Sequence, residues 1–147
     1  MHFSIMGLKN FLSGLSNTNG KETTLDGLLR EWIKKLENYS QPGKDITALN
    51  FGLFESDKRF MIYLTGSRSY DSSNDDWASE VDYEPISLYK YLLLSTNDVV
   101  KLKWDGVSQA INSVLKNIIA ENPSYKLFKN RVVTAGFDEG DLIIIKD

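Results

Sequence analysis

Residues 49–66 read LNFGLFESDKRFMIYLTG. Leu49, Phe51 and Leu53 alternate with Asn50 and Gly52, and Phe60, Ile62 and Leu64 alternate with Met61, Tyr63 and Thr65. A period of two buries one face of an extended chain, so each run predicts a strand. The polar residues 55–58, ESDK, separate the two runs. Two alternating runs joined by a short polar connector predict a β-hairpin, which Gly66 and Ser67 close. Strands joined by short turns pair antiparallel.

Before the hairpin, Leu25, Leu28, Leu29, Trp32, Ile33, Leu36 and Tyr39 form one stripe at helical spacing. Thr23 and Asp26 have the spacing of a capping box, and Ser40-Gln41-Pro42-Gly43 is a stop signal. Trp32 shares the leucine stripe and is expected in the core. Further upstream, Ile5, Leu8, Leu12 and Leu15 recur at three- and four-residue steps behind Ser4. That pattern predicts a short helix, weakened by Gly7 and Gly14. It either docks on the core or hangs as a loosely attached terminus, and residues 16–21, SNTNGK, form a polar linker after it.

Downstream, residues 87–94, SLYKYLLL, have the aromatic content of a strand. Trp104, Val107, Ile111, Val114, Leu115 and Ile118 mark a second long helix ending near Asn122. Asn122-Pro123 is a cap and first-turn pair, which predicts another helical turn over Ser124–Lys129. RVVTAGF and DLIIIK then flank Asp138-Glu139-Gly140 as a terminal hairpin. The expected fold is α+β: an antiparallel sheet of about five strands with helices packed on one face. One domain is expected over residues 1–147, with 1–21 as its loosely attached helix and linker.

Composition removes several chemistries. A chain of 147 residues with 41% apolar side chains is rich enough for a core of its own. It has no cysteine, so disulfides, thiol catalysis and thiolate zinc sites are excluded, and a reducing compartment is compatible. The single histidine, His2, sits by the chain end, a poor place for a Ser-His-Asp triad or a histidine-carboxylate metal site. Neither a phosphate-binding GxxxxGK[ST] nor a GxGxxG occurs. There is no secretory leader pattern and no run near the ~20 apolar residues of a membrane span, so a cytoplasmic protein without membrane contact is expected.

The charge is local. The net charge is −3, whereas residues 70–85, YDSSNDDWASEVDYEP, carry six carboxylates and no basic residue, leaving about +3 on the remainder. Nucleic acid is not the expected partner, because phosphate binding needs a basic surface. The stretch lacks the Asp-x-Asp-x-Asp-Gly register of a calcium loop. Catalysis by paired carboxylates needs two acids at a fixed separation, which a polar loop does not specify. No catalytic residue, metal site or cofactor is therefore assigned. The connection from Gly66 to Ile86 is also long, since most connections in compact domains run to about 4–6 residues. It holds Tyr70, Trp77, Val81 and Tyr83, unlike a merely solvating linker.

Aromatic groups within an acidic rim are a plan for protein interfaces, where carboxylates steer a basic partner and the aromatics supply buried area. The candidate partner-binding residues are Asp71, Asp75, Asp76, Trp77, Glu80, Asp82, Tyr83 and Glu84, with Asp138 and Glu139 as a second patch. Trp77 either faces the partner or folds back to pin the loop to the sheet. Two other classes use the same residues differently: a small carboxylate- or metal-dependent hydrolase, and a non-catalytic ligand-binding or assembly module. No residue pattern specifies an oligomeric state.

Residues 51–85, FGLFESDKRFMIYLTGSRSYDSSNDDWASEVDYEP, with VVTAGFDEGDLIII near the end, resemble small immunity proteins of bacterial polymorphic-toxin systems of the contact-dependent inhibition type. The likeness lies in a strand pair running into an acidic YD…DDWA loop and in a closing GFDEGD hairpin. The helical N-terminal part carries none of it. The resemblance implies a cytoplasmic inhibitor that binds a cognate protein toxin, often a basic nuclease, and blocks its active site without catalysing a reaction.

Overall fold

The hairpin read from residues 49–66 forms the middle of the sheet. In the structure, a computed structural model describing residues 24–147, β1 spans Ala48–Ser56 and β2 spans Arg59–Ser67. They pair antiparallel from Ala48↔Ser67 to Ser56↔Arg59. The turn is tighter than ESDK implied: only Asp57 and Lys58 connect the strands, with φ of 51° and 63°. Two left-handed residues in a two-residue loop match the right-handed twist of the flanking strands.

Three more strands complete a five-stranded sheet of order β3-β2-β1-β4-β5. They are β3 (Tyr91–Leu93), β4 (Val132–Phe137) and β5 (Ile143–Lys146). The sheet is mixed rather than antiparallel, because β4 runs parallel to β1 from Ala48↔Val132 to Leu53↔Phe137. The reason is the connection. Helix α3 (Trp104–Glu121, after α1 at Leu25–Tyr39 and the one-turn α2 at Asn97–Val100) carries the chain back along the sheet. At 1.5 Å per residue a helix of 18 residues returns about 27 Å, so the next strand starts from the same end as β1. The short-turn rule holds for β1–β2 and β4–β5 but not across a helix.

Alternation decides which sheet face the helices cover. Leu49, Phe51, Leu53, Ile62, Leu64, Val133 and Ala135 join the α1 stripe and Val107, Ile111, Leu115 and Ile118 of α3 in one buried cluster. Trp32 is in that core, edge-on to Phe51 with ring centroids 5.9 Å apart, and its Nε1 donates to the Tyr89 carbonyl at 2.8 Å. Removing one such side chain from a packed core costs about 3–5 kcal/mol.

Several local expectations shift. Thr24, not Thr23, caps α1: its side chain accepts from the Gly27 N–H, and both Asp98 oxygens accept from Leu25 N at 3.1 and 2.9 Å. Residues 87–94 divide into a 3-10 turn, Ser87–Tyr89, and the short β3. Residues 124–129 form turns rather than a helix. There the Glu37 carboxylate accepts from the backbone N–H of Lys126 and Leu127, and Arg131 donates to their carbonyls. Side chains from elsewhere thus satisfy the groups a helix would have used internally. The buried Arg131 also donates to the carbonyls of Ile46, Pro42 and Gly43, tying the start of β1 to the start of β4. The expectations for residues 1–23, including the helix from Ile5 to Leu15, His2 and the linker, lie outside the described residues.

Candidate functional site

The acidic loop leaves β2 at a closed base. Gly66 N–H donates to the Tyr83 carbonyl at 2.9 Å, and the N–H groups of Asp82 and Tyr83 donate back to the Gly66 carbonyl. A side chain at 66 would not fit, because its Cβ would lie 2.7 Å from Ile46 Cγ2. The two ends of the loop are thus fastened together, as in a compact surface loop packed by its own side chains. Tyr83 is half-buried, and its hydroxyl donates to the Ser40 carbonyl.

Inside the loop, Asn74 caps a 3-10 turn, Asp75–Ser79, by accepting from Asp76 N–H at 2.8 Å. Trp77 is only 5% exposed, and its ring meets Tyr70 edge-on at 5.2 Å. The turn lies against β2, and the Asp75 carboxylate accepts from Leu142 N–H at 3.2 Å. Leu142 sits over Gly136, whose Cβ direction matches that of its register partner Gly52 and opposes the helices. The loop therefore crosses β1 on the face the helices leave open. On that face Ala48, Asn50 and Thr134 are buried, and the Thr134 hydroxyl donates to Asn50 Oδ1 at 2.9 Å.

The loop's carboxylate residues, in contrast to Trp77, remain open to solvent. Asp71, Asp75, Asp76, Glu80, Asp82 and Glu84 are all exposed. Each has its own local surroundings. Asp71 accepts from the N–H and hydroxyl of Ser73, which hold its carboxyl below the usual carboxylate range. Glu80 accepts from the Ser69 hydroxyl at 3.1 Å. Asp82 accepts from Arg68 N–H at 2.9 Å, and the Arg68 guanidinium bridges to Asp45 at 2.7 Å, which holds Asp45 low as well. Glu84 pairs with Lys90 at 3.2 Å. Asp76 has no side-chain partner among the described residues. Among these residues no three His, Cys, Asp or Glu side chains converge on a point that could hold a metal ion.

Asp138 and Glu139 are exposed at the β4–β5 turn. The Asp75 contact with Leu142 brings the acidic loop beside that turn, so the two patches read separately lie on one side of the molecule. Asp138 is not free: it accepts from the Tyr63 hydroxyl.

Sequence reasoning missed an apolar border. Tyr39 and Leu88 are each 67% exposed, and Val81 and Ile86 are exposed too. Ser40 Oγ accepts from Ile86 N–H at 2.9 Å, and Tyr39 stacks on Tyr89 at 6.3 Å, so the end of α1 abuts residues 86–89. Tyr39 looked like core because it continues the helical stripe, although it is the last helical residue. The signal for Ile86 was Pro85, which disfavours continued pairing in a sheet.

Comparison with protein-family models, with curated proteins and with solved structures finds no match. No helix among the described residues is long and apolar enough to cross a membrane.

Proposed function

We propose that this protein is a non-catalytic inhibitor that binds a basic protein domain, as an immunity protein binds its cognate toxin. The observation that carries this reading is the division of the loop: Trp77 is turned inward while every loop carboxylate is exposed. A loop held in this way presents a fixed negative surface, and little ordering cost remains when a partner arrives. The carboxylates steer a basic partner toward the face. Contact area then comes from Tyr39, Val81, Ile86 and Leu88, which border the acids. An apolar centre beside a charged rim is the usual anatomy of such an interface.

The test is binding of the full chain to the toxin domain encoded beside it, by calorimetry, with protection of cells expressing that toxin. The expected outcome is a one-to-one complex whose association slows steeply with salt. Full protection by a chain carrying both Asp76→Lys and Leu88→Glu overturns the assignment to this face.

A further inference from the structure

We infer that an apolar groove beside the β1–β2 turn is where a second copy of this chain docks, with Trp104 of each copy entering the groove of the other. The groove encloses about 770 Å³ between that turn and the corner joining α2 to α3. Its apolar lining is Phe60, Leu94, Val99, Val100, Leu102 and Trp104. Val100 is 71% exposed and Trp104 64%. Trp104 stands edge-on to Phe137 at 6.1 Å, which in turn meets Phe60 at 5.8 Å, so the tryptophan is held as a wall of the groove. Large apolar groups gathered in water mark a contact surface, and a tryptophan held in place is a favoured anchor for one. A cleft of this size admits a group as large as an indole.

The occupant is indicated by the charges on the rim. On one side the β1–β2 turn brings Glu55, Asp57, Lys58 and Arg59 to the groove, and on the other stands Lys103 with Lys101 close by in the chain. All six are exposed, and none is in an ion pair among the described residues. The acids at the corner are engaged by backbone: Asp98 accepts from Leu25 N–H and Asp105 from Gly106 N–H. The corner is therefore cationic, and the acids of the rim lie across the groove from it. A partner of a single sign would meet like charges on this rim. A second copy does not, because a two-fold contact is self-complementary and sets one copy's turn against the other's corner. Glu55 and Asp57 then face Lys101 and Lys103 of the second copy, twice over, around an apolar centre of Val100 and Trp104. The groove lies on the helix-covered face, since Phe60 alternates in step with the core residues Ile62 and Leu64. The acidic loop crosses the other face, so pairing here leaves that surface open.

The experiment is sedimentation equilibrium of the full chain over a range of concentrations. The expected result is a monomer–dimer equilibrium with the dimer predominant at about 100 µM. Trp104→Ala is expected to raise the dissociation constant about thirtyfold or more. Two charge reversals keep the test independent of any loss of folding: Lys101→Glu/Lys103→Glu in one chain and Glu55→Lys in another. Each alone sets like charges against each other across the two-fold and is expected to be monomeric. Mixed in equal amounts, the two chains restore opposite charges at both contacts and are expected to form a dimer. A wild-type chain that stays monomeric at that concentration overturns the inference and leaves the groove to a different occupant. A dimer that survives Trp104→Ala unweakened places the contact elsewhere and overturns it too, as does a mixture of the reversed chains that stays monomeric.

Discussion

The Tyr63 hydroxyl donates to the Asp138 carboxylate at 2.5 Å across a trough of two glycines. Tyr63 is the register partner of Gly52, and Gly52 is the register partner of Gly136, so the tyrosine lies along two strands that lack side chains on that face. A Cβ on Gly52 would stand 2.1 Å from the Tyr63 ring. Backbone and aromatic ring thus occupy the space a side chain would take. Phe54 and Tyr91 surround the ring at centroid distances of 6.0 and 6.1 Å.

Gly52→Ala is expected to displace Tyr63 and cost about 1–3 kcal/mol, the range for overpacking a filled site. Chemical denaturation measures it. Pairing with Tyr63→Ala should recover part of the loss, and strict additivity of the two changes would count against this contact.

Alkaline stability follows from the same pair. Burial and the Asp138 hydrogen bond both push the Tyr63 hydroxyl above its ordinary value near 10. A folded-state value above the unfolded one means the stabilisation is complete below about pH 10 and is lost as pH rises toward the folded value. Tyr83, also raised by burial, adds in the same direction. Tyr63→Phe is therefore expected to flatten the fall of melting temperature above pH 10 and to lower stability at neutral pH by about 1 kcal/mol. An unchanged alkaline slope in the variant would remove Tyr63 as its source.

Arg131 is buried and meets five backbone carbonyls, with burial drawing its guanidinium below the usual arginine value. Its planar fork serves carbonyls from two separate segments, a geometry a lysine ammonium does not reproduce. Arg131→Met is expected to leave those carbonyls unmatched and to cost about 3 kcal/mol or more. Arg131→Lys should recover less than half of that loss, read from urea midpoints.

Trp77 and its acidic neighbours should separate cleanly. Trp77→Ala removes the buried pin and is expected to cost about 3 kcal/mol. Amide exchange should then accelerate over residues 70–80 with or without a partner. Asp76→Lys changes an exposed group with no side-chain partner among the described residues, so its effect on stability should stay near ~0.5 kcal/mol. Under the proposed function, its effect is expected on the rate of association with the basic partner domain at low salt, followed by stopped flow. A tryptophan variant with normal exchange in the loop would contradict the pinning.

Lys58 holds a φ of 63° in the β1–β2 turn. A left-handed conformation costs a residue with a Cβ about 1–2 kcal/mol, and glycine avoids that cost. Lys58→Gly is expected to raise stability by up to about 1 kcal/mol, measured by thermal unfolding.

The sequence by itself determined what neighbours within a few residues control. The alternation of Leu49 to Leu64 showed two strands and their buried face, and the stripe from Leu25 to Leu36 showed a helix, because side-chain periodicity records which face leaves water. The acidic stretch was legible as charge, and its length as more than joining two strands requires. Only the tertiary structure decided that β4 lies parallel to β1, because strand order depends on where α3 returns the chain. Only it decided that Trp77 points inward while Tyr39, Ile86 and Leu88 face solvent. Local pattern states that a group is apolar, and the closure of Gly66 on Tyr83 and the reach of Asp75 to Leu142 decide which apolar groups the folded chain covers.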